Sequence, residues 1–135
     1  VFYYTKSEQS EFDKINEMSS AGFEEYCHKI IEKNNWKIYK NTPVDGGIDI
    51  RALKEDKHGN VRTLLVQCKL WRKPIPPGSI RDFKAGCDEE NVEGEKELMF
   101  ITFSKFSPGA TEYANKHNIM LVDGDHLIEK KIKYS

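Results

Sequence analysis

The sequence predicts an α/β fold: a central mixed β-sheet with helices on both faces. Three observations carry that expectation. A segment near the start repeats apolar residues with a helical period. Extended segments follow, two of them joined by a tight turn as in an antiparallel hairpin. The remainder alternates apolar strands with capped helical segments, the order that produces parallel crossovers. The expected element order is α-β-β-β-α-β-α-β, and 135 residues suit one domain.

Residues 1–18 are polar and lack a clean period. They read as a linker or lead-in from a longer chain, with room for one short helix, and the folded domain is expected over 19–135. Met18 to Asn34 forms the first helix of that domain. Ser19 or Ser20 caps it by accepting a free backbone N–H, and Phe23, Tyr26, Cys27, Ile30 and Ile31 fall on one face. Trp36 to Lys40 is extended and ends before Thr42-Pro43. Gly47 to Leu53 alternates Ile48 and Ile50 with polar neighbours, His58-Gly59-Asn60 makes a tight turn, and Arg62 to Leu70 returns as a buried strand.

Arg72 to Gly78 contains Pro74, Pro76 and Pro77 and reads as non-helical. Ser79 is the expected cap of a helix over Ile80–Asp88, with Asp82 three residues on and Ile80, Phe83, Lys84 and Cys87 facing inward. Leu98 to Phe103 is an apolar strand. Ser107-Pro108 opens a helix through Lys116, with proline at the first helical position. Ile119 to Val122 is the last strand, and Asp125 to Lys131 closes the chain as a short helix.

Hydrophobic residues make up 38% and charged residues 32%, a balance typical of globular domains. No apolar run approaches the roughly 20 residues that span a bilayer, so no membrane role is expected. No charged-then-apolar leader opens the sequence. Cys27, Cys68 and Cys87 are odd in number, and neither they nor His28, His58, His117 and His126 show zinc or redox spacing. Reduced thiols in a cytoplasmic protein are the expectation. The net charge of −1 announces no nucleic-acid binder. Its distribution says more: Arg62, Lys69, Arg72, Lys73 and Arg81 fall in a stretch free of Asp and Glu, whereas Asp82 to Glu97 is acidic. A local basic stretch can still seat a phosphate backbone.

Polar groups stand where the strand pattern calls for apolar ones. Leu64, Val66 and Cys68 should point to one side of their strand, Leu65, Gln67 and Lys69 to the other. Asp49, between Ile48 and Ile50, should point away from both. If the two strands pair, Asp49 faces Gln67 and Lys69. A hard cation such as Mg²⁺ takes one or two carboxylates plus neutral oxygens, waters and phosphate. Asp49, Gln67 and the Cys68 carbonyl supply such oxygens, while Lys69 can position the attacking water, assist its deprotonation or stabilise charge on phosphate. Polar strand residues also commonly just face solvent, and alternation alone does not choose between the two. Two glycines in Asp45-Gly46-Gly47-Ile48-Asp49 permit close backbone approach at the strand entry.

Phe23-Glu24, Asp45 through Asp49, Val66-Gln67-Cys68-Lys69 and, more loosely, Thr102 through Ala110 occur in an order that resembles the Mrr-type (type IV restriction) endonuclease domain of the PD-(D/E)xK nuclease superfamily. The resemblance runs from about Ser20 to Leu127. It implies a restriction-endonuclease-like fold over 19–135 and a Mg²⁺-dependent endodeoxyribonuclease, with Mn²⁺ as a substitute. It implies Asp49 as metal ligand, Gln67 where many relatives carry Glu or Asp, and Lys69 as catalytic lysine. It also selects Glu24 as a further catalytic carboxylate and ligand. Helical geometry agrees, because Glu24 lies at the margin of the apolar face and Glu25 roughly opposite it.

Arg72, Lys73, Ser79 and Lys105 are candidates for holding the DNA backbone through side chains or helix-start amides. Trp36 and Trp71 read as core or rim packing rather than base stacking. The resemblance further implies an effector in restriction or antiviral defence, with DNA as partner and recognition or regulation supplied by another domain. A homodimer would serve double-strand cutting. The competing readings are a Holliday-junction resolvase or DNA-repair nuclease, and a non-catalytic DNA-binding module with a nuclease fold.

Overall fold

The computed structural model describes residues 4–40 and 47–129. Helix α1 spans Lys6–Asn16, and its free N–H groups are satisfied by a capping box between Thr5 and Glu8. Helix α2 spans Ser20–Lys33, with the Ser19 hydroxyl accepting from the Gly22 N–H at 3.0 Å. Strands β1 (Lys37–Lys40), β2 (Ile50–Glu55) and β3 (Val61–Lys69) follow. Then come α3 (Pro77–Glu89), β4 (Glu95–Thr102), α4 (Pro108–Lys116), β5 (Ile119–Val122) and α5 (Gly124–Glu129).

The sheet has the order β1-β2-β3-β4-β5 among the described residues. β1, β2 and β3 are antiparallel neighbours, while β4 pairs parallel with β3 and β5 parallel with β4. The hairpin between β2 and β3 turns at Asp56–Asn60, where Gly59 adopts φ +81° and the Asp56 carboxylate accepts the N–H groups of His58 and Asn60. Crossovers through α3 and α4 make the second half parallel, so the mixed α/β sandwich expected from sequence is the fold observed.

Alternation along β3 divides the core in two. Leu64 and Val66 join Ile50, Ala52, Met99 and Ile101 beneath α1, α2 and α5. Leu65 and Phe100 join Ile80, Phe83, Cys87, Ala110 and Ala114 of α3 and α4 on the opposite face.

Several local expectations are corrected. The residues read as a lead-in contain α1, whose Ile15 is buried in the first core; residues 1–3 lie outside the described set. Helix α3 starts at Pro77, with Pro76 in the cap position, so Ser79 is inside the helix and caps nothing. The prolines favour this start, because the first helical N–H groups need no intrahelical acceptor and proline has the right φ. Lys84 is not part of the inner face: it is partly exposed and ion-paired with Asp88 at 2.7 Å, while Ile80, Phe83 and Cys87 are buried. Ile48 and Ile50 do not share a side. Ile48 belongs to the second core and Ile50 to the first, because regular pairing begins only at Ile50. The tryptophans lie as expected: Trp36 is in the core and Trp71, 39% exposed, is at the rim. The closing helix ends at Glu129, and the expected continuation to Lys131 lies outside the described residues. So do Thr42-Pro43, Asp45 and Gly46. No described helix is long and apolar enough to cross a membrane.

Candidate active site

Asp49 sits just before β2 regularises. Its backbone N–H donates to the Val66 carbonyl at 2.8 Å, extending the ladder by one residue. Its carboxylate Oδ2 accepts the Cys68 N–H at 2.8 Å. That second bond replaces the missing ladder bond and fixes the carboxylate against the end of β3. One oxygen is thus occupied while the other remains available to a ligand. Gly47 turns the chain into this position with φ +76°, and a Cβ there would lie 3.0–3.2 Å from the Gln67 amide. Any other residue there would press on the Gln67 amide in a backbone conformation that L side chains rarely adopt.

Glu24 projects from α2 and is partly buried, whereas Glu25 is exposed. Burial pushes the Glu24 carboxyl above its ordinary range, and the charge of Asp49 pushes it further. His28, one turn along, opposes this. Burial likewise raises Asp49, against the pull of the Cys68 N–H and of the Lys69 and Arg51 cations. Ionising Glu24 therefore means placing a second negative charge near that of Asp49. A hydrogen bond to Cys27 and burial hold the Cys68 thiol strongly in its neutral form, and the charges of Asp49 and Glu24 add to the effect. Glu24, Asp49, Cys68 and Lys69 are therefore within electrostatic reach of one another. Gln67 lies alongside, against Gly47.

Lys69, the last residue of β3, places its Nζ 4.7 Å from the centre of the Trp71 ring, a cation–π contact. Arg72 is turned to the end of α1: Nε donates to Asn16 Oδ1 at 3.2 Å, and Nη2 donates to the Asn16 carbonyl. Lys105 is 72% exposed and pairs with Asp125 at 3.1 Å. Lys73 is exposed, and Ser79 is partly buried within α3. The structure thus gathers Glu24, Asp49, Gln67, Cys68 and Lys69 and leaves the four expected DNA contacts spread around the edge.

Sequence reasoning passed over His28 and Asn16 at the site and did not foresee that Trp71 would lie against Lys69. His28 was discoverable, since it lies four residues from Glu24 on a helix. The Trp71 and Asn16 contacts depend on the turn after β3 and on α1 docking, which no periodicity reports.

Two carboxylates, a side-chain amide oxygen and a main-chain carbonyl suit Mg²⁺, which takes few protein ligands and retains water. Among the described residues no group of three His, Cys, Asp or Glu side chains gathers as a metal cluster. A two-carboxylate site completed by neutral oxygens, water and phosphate needs no such group. Two desolvated carboxyls in mutual repulsion are what a divalent cation relieves, so the donor set fits.

Residues 15–130 match the Mrr catalytic domain family of restriction endonucleases. The chain belongs to this restriction endonuclease family. Three solved structures share its fold. The restriction endonuclease MspJI, in complex with a 27-mer oligonucleotide, aligns with TM-score 0.60 and 15% identity over 90% of this chain and 29% of that one. AspBHI, a DNA modification-dependent restriction endonuclease, gives TM-score 0.68 and 11% identity over 94% of this chain and 35% of that one. A repair endonuclease from Pyrococcus abyssi gives TM-score 0.54 and 20% identity over 79% of this chain and 47% of that one. This chain therefore spans less than half the length of each of these three. No curated relative matches it by sequence. Family membership places the domain among nucleases of restriction endonuclease type.

Proposed function

We propose that the domain hydrolyses phosphodiester bonds in DNA with the help of Mg²⁺, or Mn²⁺ in its place, as the cutting module of a cytoplasmic restriction or antiviral-defence protein. The observation that supports this reading is Asp49, pinned by the Cys68 N–H and within electrostatic reach of the Glu24 carboxylate and the Lys69 ammonium. Asp49, Glu24, Gln67 and the Cys68 carbonyl would hold the ion. When bound, such an ion acidifies a water and neutralises charge on the phosphate.

The chain's own groups supply the rest. Lys69 orients the attacking water and balances the charge that builds on the phosphoryl oxygens. The oxygen of water joins phosphorus and one P–O ester bond breaks, leaving a phosphate monoester on one side and a hydroxyl on the other. Trp71 limits where Lys69 can swing, since its ring lies against the ammonium. Lys73, Lys105 and the remaining N–H groups of Arg72 would contact backbone phosphates. Target recognition would come from a further domain, because the chain corresponds to less than half of each endonuclease described above. A homodimer would bring two such sites to the two strands.

The test is incubation with supercoiled plasmid and Mg²⁺ or Mn²⁺, beside Asp49→Ala and Lys69→Ala proteins. Metal-dependent nicking or linearisation, lost in both variants, supports the assignment. An intact plasmid together with no metal binding by calorimetry refutes the enzyme and leaves a binding module.

A further inference from the structure

Beyond Lys69 the structure opens a cavity of about 500 Å³ that none of the proposed steps uses. It lies past the carboxyl ends of β3 and β4, bounded on one side by Trp71 and Pro74 and on another by Phe12 and Phe103. Its floor is aromatic: the Phe12 and Phe103 rings are 5.0 Å apart, and Tyr4 meets Phe12 at 5.8 Å. Trp71 is one of three large hydrophobic side chains exposed among the described residues. It stands two positions beyond Lys69 and touches its ammonium, so the cavity adjoins the place where phosphate would be cut.

The polar equipment is sparse and directional. The Asp125 carboxylate accepts the Tyr4 hydroxyl at 2.6 Å on one oxygen and the Lys105 ammonium at 3.1 Å on the other. Those bonds, the Tyr4 hydroxyl first, hold it below the usual carboxylate range. A carboxylate has about four acceptor positions, so Asp125 can take further donors. Ser104 adds a hydroxyl to the lining, and Lys105 and Arg72 put positive charge on the rim. An apolar slot with aromatic walls, a carboxylate acceptor inside and cations at its mouth suits a flat heterocycle that carries amino groups and is tethered to phosphate. Aromatic side chains bind bases by stacking whatever their sequence. A carboxylate distinguishes bases with amino donors, such as cytosine.

We propose that this cavity receives one unstacked nucleobase of the strand being cut, with Trp71 as its stacking surface and Asp125 as acceptor for its exocyclic amine. This rests on the nuclease reading. It assigns the module a base preference of its own, favouring bases that carry an exocyclic amine (cytosine, adenine or guanine) over thymine beside the scissile phosphate. It also favours substrates in which a base is already unpaired, because no stacking or pairing must then be given up.

Fluorescence tests the assignment directly, since the chain has two tryptophans and Trp36 is buried. Without divalent metal, the whole domain is titrated with two duplexes that differ at one bulged position, carrying either cytosine or an abasic sugar. The cytosine duplex should bind about tenfold more tightly and quench tryptophan emission. Trp71→Phe should abolish the quench while retaining part of the affinity, and Asp125→Asn should reduce the preference for a cytosine over a thymine bulge. Equal affinity for both duplexes with unchanged emission overturns the base pocket and leaves DNA binding standing. Failure to bind either duplex at low salt overturns both.

Discussion

Asp49→Asn should make the domain more stable and inactive at the same time. The substitution keeps shape and keeps an oxygen that can accept the Cys68 N–H, seen at 2.8 Å. What it removes is charge. Burial disfavours that charge, while the Cys68 N–H, Lys69 and Arg51 favour it. The carboxyl is nevertheless raised above its usual value of 3.8, so the opposing effects win. A group raised in the folded state contributes stability that is complete below the unfolded pKa and lost as pH rises through the folded one. At neutral pH wild type carries that penalty and Asn does not. The raised value already nets the Cys68 hydrogen bond against burial, so no separate loss is set against the gain. A net gain below about 1 kcal/mol follows, or roughly 2–4 °C in melting temperature for a domain of this size. Thermal melts in chelator from pH 3 to 8 measure it: the Asn advantage should be largest near neutrality and vanish below about pH 3.8, where both side chains are uncharged. Added Mg²⁺ should raise the wild-type midpoint and leave the variant unmoved, since only a folded state that binds the ion gains from it. Plasmid cleavage should fall by about 10²-fold or more. An Asn protein that melts lower at pH 7, or an advantage that persists at pH 3, would refute the claim that Asp49 is held at a loss.

Three further outcomes can be checked on the same protein. Glu24→Gln should weaken Mg²⁺ binding about tenfold by calorimetry with the fold intact, because it removes one of two carboxylates and the charge that repels Asp49. Ile15→Ala should cost about 2–5 kcal/mol in urea unfolding, since Ile15 is completely buried in the core beneath α2; a loss below 0.5 kcal/mol would make α1 a dispensable appendage. Gly47→Ala should destabilise by about 1–3 kcal/mol and reduce cleavage, because φ +76° is strained for alanine and its Cβ would press on Gln67 at 3.0 Å.

The sheet and most helices were legible because their signals are local. Ser107-Pro108 set the start of α4, the His58-Gly59-Asn60 turn set the hairpin, and alternation on β3 separated Val66 and Cys68 from Gln67 and Lys69. Errors arose where tertiary contacts decide. Pro77 was read as a helix breaker when it begins α3. Asp49 was expected to point away from both neighbouring isoleucines, but Ile48 and Ile50 enter different cores, and a single side-chain hydrogen bond to Cys68 aims the carboxylate. Helix α1 has few apolar residues, and its burial depends on Ile15 and Phe12 meeting surfaces far away in sequence.

Arg72 shows how that remote helix and the cutting site are tied. Its position three residues after Lys69, in a basic stretch, marked it as a phosphate contact, yet its guanidinium grips the Asn16 side chain and carbonyl at the end of α1. The C-terminus of a helix carries partial negative charge, so a cation there is stabilising. The same Asn16 is followed within a few residues by the Ser19 cap of α2, the helix that presents Glu24. One side chain from the turn after β3 therefore braces the helical unit from which the second carboxylate projects. A guanidinium has five N–H donors in a fixed fork, and the contacts to Asn16 use two of them. Phosphate can thus engage the remainder without releasing α1. Seating DNA at this edge would tighten, rather than compete with, the bracing of the Glu24 helix, and substrate binding and assembly of the carboxylate pair would be mutually supporting.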